Sequence, residues 1–258
     1  MTDKPKIMKV ENLHIEIHPN RVSMGMASAL AVSKNIKSLL TVQDEIRIIF
    51  AAAPSQNELL DNLIKIIGID WQKITAFHMD EYIGLEPMAP QRFGNFLKER
   101  IFGKVPFKQV HYLNPSLENP QSECDRYSAL LEEAPIDMIC MGIGENGHVA
   151  FNDPPVADFN DPKMVKNVEL DDICRQQQVN DGCFPSIDSV PKQAITLTVP
   201  TLFAGKNLCI VVPGPTKAKA VNCTINGDIS TACPASILRQ HASATLYLDQ
   251  DSAKELNK

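Results

Sequence analysis

Met138-Ile-Cys-Met-Gly-Ile-Gly-Glu-Asn-Gly-His-Val-Ala-Phe-Asn-Asp-Pro-Pro155 is an apolar run that ends in a glycine-rich turn and then presents Asn146, His148 and Asp153 close together. Residues 136–141 read as a short buried strand, since the apolar run from Met138 to Met141 leaves no polar side for water. Gly142, Gly144 and Gly147 tolerate the backbone angles and close approach that larger residues resist. In a parallel sheet, such a turn lies beyond the carboxyl end of a strand, where ligands bind. The stretch therefore predicts an α/β protein with chemistry at His148.

Gly142-Ile-Gly-Glu-Asn-Gly147 also fits the GxGxxG spacing of dinucleotide-binding loops. That loop opens a helix whose N-terminus takes the pyrophosphate. Here Pro154 and Pro155 would break a helix begun at Gly147 within about two turns, and several strand candidates precede the motif. The spacing favours a catalytic loop over a nucleotide cradle.

Working outward, strand patterns fall at 46–52, 73–79, 109–113, 194–199, 208–212 and 245–248. Helical patterns lie between most of them, at 22–40, 57–67, 91–102, 120–133 and 216–226. This alternation implies a mainly parallel, doubly wound (Rossmann-like) α/β sheet flanked by helices. With 258 residues, 44% apolar and 22% charged, the chain can bury one substantial core. No linker, low-complexity tract or fixed-period repeat divides it, so one domain over residues 1–258 is expected.

The net charge is −6 and the basic residues are scattered rather than striped, which argues against a nucleic-acid partner. No stretch approaches the roughly 18 apolar residues that would span a bilayer, and the first residues do not form a signal peptide. A cytoplasmic protein without a membrane partner is expected. Seven cysteines, odd in number and without a CxxC pair, read as reduced and mostly core residues.

Three further loops carry polar chemistry. Ala53-Pro-Ser-Gln-Asn57 follows a strand and opens a helix. Ser55 reads as its N-cap, a place that can hold phosphate through free N–H groups, although serine also caps helices that bind nothing. Phe77-His-Met-Asp-Glu-Tyr-Ile-Gly84 sets Asp80 and Glu81 at a strand end. One of them could act as a general base if burial raised its pKa; the plain alternative is a cap or a solvated pair. His78 reads as a packed neighbour. Val211-Val-Pro-Gly-Pro-Thr-Lys-Ala218 brings Lys217 to a helix start, where it favours an anionic ligand unless it is one more solvated lysine.

Taken together, Met79-Asp-Glu-Tyr-Ile-Gly-Leu85, Gly142 through Pro154, Phe184-Pro-Ser-Ile-Asp-Ser-Val-Pro191, Gly214-Pro-Thr-Lys-Ala218 and Pro234-Ala-Ser-Ile-Leu-Arg-Gln-His241 resemble, in sequence and in order, the glucosamine-6-phosphate deaminase (isomerase) family. Its broader superfamily includes the 6-phosphogluconolactonases. The resemblance implies conversion of an amino-sugar 6-phosphate to a ketose 6-phosphate and ammonia, with no metal or organic cofactor. By matching position, Asp80 would move the carbon-bound proton and His148 would open the pyranose ring, with Asp153 orienting it and Asn146 beside it. Ser55, Lys217, Glu81, Gly144 and Gly147 would contact the phosphorylated sugar. A homo-oligomer is left open.

The chain departs from the family at the phosphate loop, where Ala52-Ala-Pro-Ser-Gln56 stands for a Thr-Gly-Gly-Thr-Pro pattern. An arginine expected just before Phe184 is replaced near Gly182, with Arg175 as a candidate substitute. Asp153 stands where many relatives have Glu, and Asn146 where some have Asp. Three readings follow. The first is a deaminase acting on glucosamine 6-phosphate, galactosamine 6-phosphate or another amino sugar. The second is a non-catalytic sugar-phosphate binder, and the third a lactonase-like hydrolase.

Overall fold

The computed structural model describes residues 4–256. In chain order the elements are β1 (Lys6–Val10), β2 (Leu13–His18), α1 (Arg21–Leu39), β3 (Ile46–Phe50), α2 (Asn57–Leu63), β4 (Ile74–His78), β5 (Asp80–Tyr82), α3 (Phe93–Leu97), β6 (Gln109–His111), α4 (Pro120–Glu132) and β7 (Met138–Met141). They continue with β8 (Val165–Glu169), α5 (Asp172–Asn180), β9 (Gln193–Leu197), α6 (Val199–Phe203), β10 (Leu208–Val212), α7 (Ala218–Asn226) and β11 (Ala244–Asp249).

Eight strands form one sheet in the order β1-β2-β11-β10-β7-β3-β4-β6, parallel throughout except for the edge strand β1. The continuous apolar runs predicted this arrangement, and β3, β7 and β10 are buried at every residue. Successive side chains of a strand point to opposite faces, so each run feeds two cores. Ile49, Ile139, Met141, Ile210 and Val212 pack on one face with Tyr127, Leu131, Leu202 and Val221. On the other face, Ile48, Phe50, Met138, Cys140 and Val211 meet α1 and α2 through Met24, Val32, Ile36, Leu59 and Leu63. Truncating a residue as enclosed as Phe50 costs about 3–5 kcal/mol in such a core.

The order of strands places the site. From β3 the chain steps outward to β4 and β6; it then returns to the other side of β3 as β7 and steps outward again to β10 and β11. The order reverses between β3 and β7, and the loops that diverge there leave a crevice beyond the carboxyl ends.

Two features differ from the sequence reading. The strand expected at 194–199 is β9, which leaves the main sheet and pairs antiparallel with β5 and β8 in a second, three-stranded sheet. Thr196 faces Asp80 in its register, so this small sheet anchors the segment carrying the acidic pair. The N-terminal hairpin β1/β2 was not anticipated, because β1 is largely exposed and β2 alternates over only six residues. Helix boundaries also shifted. The pattern at 91–102 becomes α3 plus a π-helical turn (98–102), and that at 216–226 begins with a 3₁₀ turn before α7.

No helix of the described residues is long and apolar enough to cross a membrane. All seven cysteines are unpaired; five are buried, Cys183 is half-buried and Cys223 is exposed.

Candidate active site

A cavity of about 320 Å³ opens at the crevice between β3 and β7, with Ser55, Asp80, Gly144, His148 and Lys217 on its walls. The structure thus brings together residues from the loops after β3, β4, β7 and β10.

The turn after β7 is built on backbone bonds. Gly144 N–H donates to His148 O (2.9 Å), Gly147 N–H to Gly144 O (3.0 Å) and Ala235 N–H to Gly147 O (2.8 Å). Gly147 adopts φ +86°, and a side chain there would also strike Cys233. A Cβ at Gly144 would lie 2.2 Å from His148 Nε2, so the imidazole occupies the space that glycine leaves. Gly147 is therefore a turn former and not a wall of the cavity, which corrects its expected place among the sugar contacts. No helix follows the turn. Val149 and Asn152 close a tight bridge instead, and Ala150 takes a left-handed φ of 49° within it. A cradle for a dinucleotide is absent from this loop.

Behind His148 stand Asn146 and Asp153. The Asn146 amide donates to Asp153 Oδ1 (2.8 Å) and its carbonyl accepts from His148 N–H (3.0 Å). His148 Nδ1 lies 2.9 Å from Asp153 Oδ1, although its N–H is poorly aligned with that oxygen. Burial alone would raise the Asp153 carboxyl, but the adjacent His148, followed by Asn146, holds it below the usual range. This approach turns Nδ1 inward and leaves Nε2 for the cavity. Asn146 and Asp153 act through His148 and are not wall residues.

Asp80 and Glu81 are neighbours with opposite surroundings. Glu81 is fully buried and accepts from the N–H groups of Tyr82 (3.0 Å), Phe93 (3.1 Å) and Gly94 (2.9 Å), with Arg92 Nε at 3.7 Å. It fastens the start of α3 and cannot reach a ligand, so the expected substrate contact at Glu81 is corrected to a structural one. Asp80 faces the cavity, and among the described residues no group hydrogen-bonds its carboxyl. Burial, reinforced by the Glu81 charge, pushes its pKa well above the ordinary carboxylate value. His78 beneath it is a packed neighbour. Leu113 N–H donates to Nε2 (2.8 Å) and Nδ1 donates to Asp80 O (3.0 Å), while burial drives its pKa down to about 3.

At the other end, Ser55 lies inside a 3₁₀ turn (54–56) and caps no helix; its hydroxyl accepts from Gln56 Nε2 (3.1 Å). Gln56 reaches from there to Met141 O and Val211 O, both at 3.3 Å, and so ties this turn to the ends of β7 and β10. Lys217 is only 6% exposed. Among the described residues its ammonium makes no hydrogen bond or ion pair; burial lowers its pKa, and the carboxylates of Asp181 and Glu145 oppose that.

Sequence reasoning missed several wall residues. Arg21, the first residue of α1, lines the cavity with its Nε on Glu58 (2.6 Å) and a second bond to Pro54 O. The C-terminal end of α5 contributes Gln177, Gln178, Asn180 and Asp181, followed by Cys183. That helix carried a readable signal. Asp171 caps it by accepting from Cys174 N–H (2.7 Å), and Gly182 with φ +75° follows its end. Arg175, the candidate phosphate ligand, points elsewhere. It bonds to Ile187 O (2.6 Å), Val190 O and Asp172 and secures the 187–190 turn.

A buried carboxyl, an imidazole backed by a carboxylate, and a buried ammonium on one crevice of a doubly wound sheet define an acid–base site for a small anionic ligand. The chain belongs to the family of glucosamine-6-phosphate isomerases and 6-phosphogluconolactonases, whose profile matches residues 19–247. It is 35% identical over 188 residues to a glucosamine-6-phosphate deaminase of Lactobacillus delbrueckii subsp. bulgaricus, covering 73% of this chain and 78% of that one. To a glucosamine-6-phosphate deaminase of Oenococcus oeni it is 36% identical over 190 residues, 74% and 78% of the two chains. Among solved structures, a monomeric glucosamine-6-phosphate deaminase superimposes with a TM-score of 0.84 at 27% identity, covering 96% of this chain and 99% of the other. A 6-phosphogluconolactonase from Thermotoga maritima shares the fold, with a TM-score of 0.74 at 18% identity over 92% and 99% of the chains.

Proposed function

We propose that the chain converts an amino-sugar 6-phosphate to a ketose 6-phosphate and ammonia. The observation that carries this reading is Asp80, a buried carboxyl without a protein partner, on the same cavity as the free Nε2 of His148 and the unpaired ammonium of Lys217. Burying ionisable groups without partners costs free energy, and a ligand that supplies the partners removes that cost.

His148 Nε2 exchanges a proton with the ring oxygen and opens the pyranose, while Asp153 holds the imidazole and balances its charge. Asp80 then takes the proton from the carbon bearing the amine and returns it to the neighbouring carbon. Its raised proton affinity suits this step, because a base works best with a pKa near the operating pH. The ketimine this leaves adds a water molecule, and collapse of the carbinolamine so formed gives the ketose and releases ammonia. Lys217 and the hydroxyl and backbone N–H of Ser55 hold the phosphate, with Arg21 at the same end.

The test is release of ammonia from a panel of hexosamine 6-phosphates, run beside hydrolysis of 6-phosphogluconolactone. Ammonia release from at least one hexosamine phosphate is expected. Binding without turnover would leave a sugar-phosphate sensor, and lactone hydrolysis alone would replace the reading with a lactonase.

A further inference from the structure

Behind the imidazole lies a third side chain that the proposed chemistry does not use. Cys174, in the first turn of α5, is 1% exposed and brings its sulfur beside His148 and Asp153. One ligand atom from each of the three, a ring nitrogen, a carboxylate oxygen and the thiol sulfur, all lie within 4.8 Å of one another. The three residues come from different segments, the turn after β7 and the start of α5, and all are buried. They differ from a surface acidic cluster in donor set and enclosure.

Two orphaned atoms point into this cluster. His148 Nδ1 is enclosed without an aligned hydrogen bond despite its 2.9 Å approach to Asp153, and Asp153 Oδ2 is enclosed without a well-formed hydrogen bond, the Cys174 thiol being the further side chain that turns toward this carboxylate. Nearly all buried polar atoms in proteins are satisfied, so each exception asks for a missing partner. Because no directed N–H joins them, the ring nitrogen and the carboxylate are free to part slightly and turn toward a shared cation. Around tetrahedral zinc, with bonds of about 2.0–2.3 Å, such donors stand roughly 3.3–3.6 Å apart. Closing from 4.8 Å requires on the order of 1 Å of side-chain movement shared among three residues.

We infer that His148 Nδ1, Asp153 and Cys174 form a site for a thiophilic divalent cation such as Zn²⁺ or Cd²⁺, and that its occupancy switches the enzyme off. Thiolate, imidazole and carboxylate are the donors such ions select. On binding, the thiol gives its proton to solvent and its sulfur bonds the metal. The ion takes the carboxylate away from the imidazole and fixes the ring through Nδ1, so His148 can no longer cycle a proton at Nε2. The inhibitory consequence rests on the ring-opening role given to His148 above; the binding site does not.

The experiment titrates chelator-stripped protein with Cd²⁺, following the ultraviolet thiolate-to-cadmium band and the heat of binding, in wild type, Cys174→Ser, Cys174→Ala and His148→Gln. Wild type should bind one ion more than each variant. Without metal, Cys174→Ser should retain ammonia release within a few-fold, and its sensitivity to Zn²⁺ should drop by at least the roughly 10–100-fold that loss of a supporting partner costs a metal site. Equal stoichiometry in wild type and in all three variants would overturn the site, as would loss of the ion in Cys223→Ser while Cys174→Ser keeps it. An extra ion that leaves ammonia release unchanged would overturn the switch. A protein that releases no ammonia from any sugar still reports the site through the cadmium band, so failure of the proposed reaction and failure of the inference are separable.

Discussion

The two ends of the cavity are built differently. Around His148 the turn that carries the imidazole is tied by short bonds within itself, from Asn146 to Asp153 and to the His148 N–H and between the backbone groups of Gly144, Gly147 and His148. Around Lys217 the elements come from four distant segments, and the contacts are sparse: Ser55 to Gln56, Arg21 to Glu58, and carboxylates from Asp181 and Glu145 near an unpaired ammonium. A reacting end tolerates little displacement, since a misplacement of about 1 Å can cost roughly 10²-fold in rate. An anchoring end can be rebuilt from other residues provided it keeps positive charge and N–H donors. This asymmetry explains how a chain can retain the motifs at Asp80 and His148 while losing the glycines of its phosphate loop.

The comparison is tested most severely at the reacting end. Asp80→Asn should lower turnover by about 10²–10⁴-fold or more, because an amide of the same shape cannot accept the carbon-bound proton; binding measured by calorimetry should persist. In the wild type, the acid limb of kcat/KM should lie well above the ordinary carboxylate range, as the burial of Asp80 dictates. His148→Gln should be slow on the cyclic sugar and partly rescued on an open-chain analogue. Equal losses on both substrates would end the division of labour between the two residues. Gly144→Ala should imitate His148→Gln without touching any ionisable group, since its methyl would occupy the space of the imidazole ring.

The anchoring end should give smaller losses, confined to affinity. Lys217→Ala removes one charge-assisted contact, about 1.5–3 kcal/mol or one to two decades in affinity for the phosphosugar. Arg21→Gln should cost less, because Glu58 at 2.6 Å already neutralises much of its charge. Loss of turnover at saturating substrate in either variant would show that the two ends are not separable.

Legibility in the sequence followed the same division. The parallel sheet was readable because β7 and β10 are continuous apolar runs and β3 is interrupted only by Arg47, and the turn at 142–153 because its glycines and polar residues are contiguous. Ser55, Asp80, His148 and Lys217 each stand directly after a strand, so the rule for strand ends found them. Arg21 and Asp181 were not found, since nothing in a helix start or a helix end announces which cavity it borders. Glu81 was misplaced because adjacent carboxylates look alike in sequence, while alternation along β5 sends one to the cavity and the other to the N–H groups of Phe93 and Gly94. The second sheet stayed hidden because β9, buried at four of its five residues, reads like one more strand of the main sheet, and its partner β5 has only three residues.

The smallest expected effect is on stability, and it runs opposite to the effect on turnover. In the unfolded chain the Asp80 carboxyl loses its proton near pH 3.9; in the folded chain burial, and after it Glu81, holds that proton to a well higher pH. Between the two values the native state binds more protons than the unfolded state, so stability falls as pH rises through that window and levels off once both states are ionised. Asp80→Asn removes this dependence. The variant should melt like the wild type near pH 4 and above it near pH 8. The gap should be about 1.4 kcal/mol for each tenfold difference in proton affinity, or roughly 2–4 °C per kcal/mol in a chain of this size. A constant offset in melting temperature across pH would mean that Asp80 is not held protonated by its burial, and would remove the physical basis for choosing it as the base.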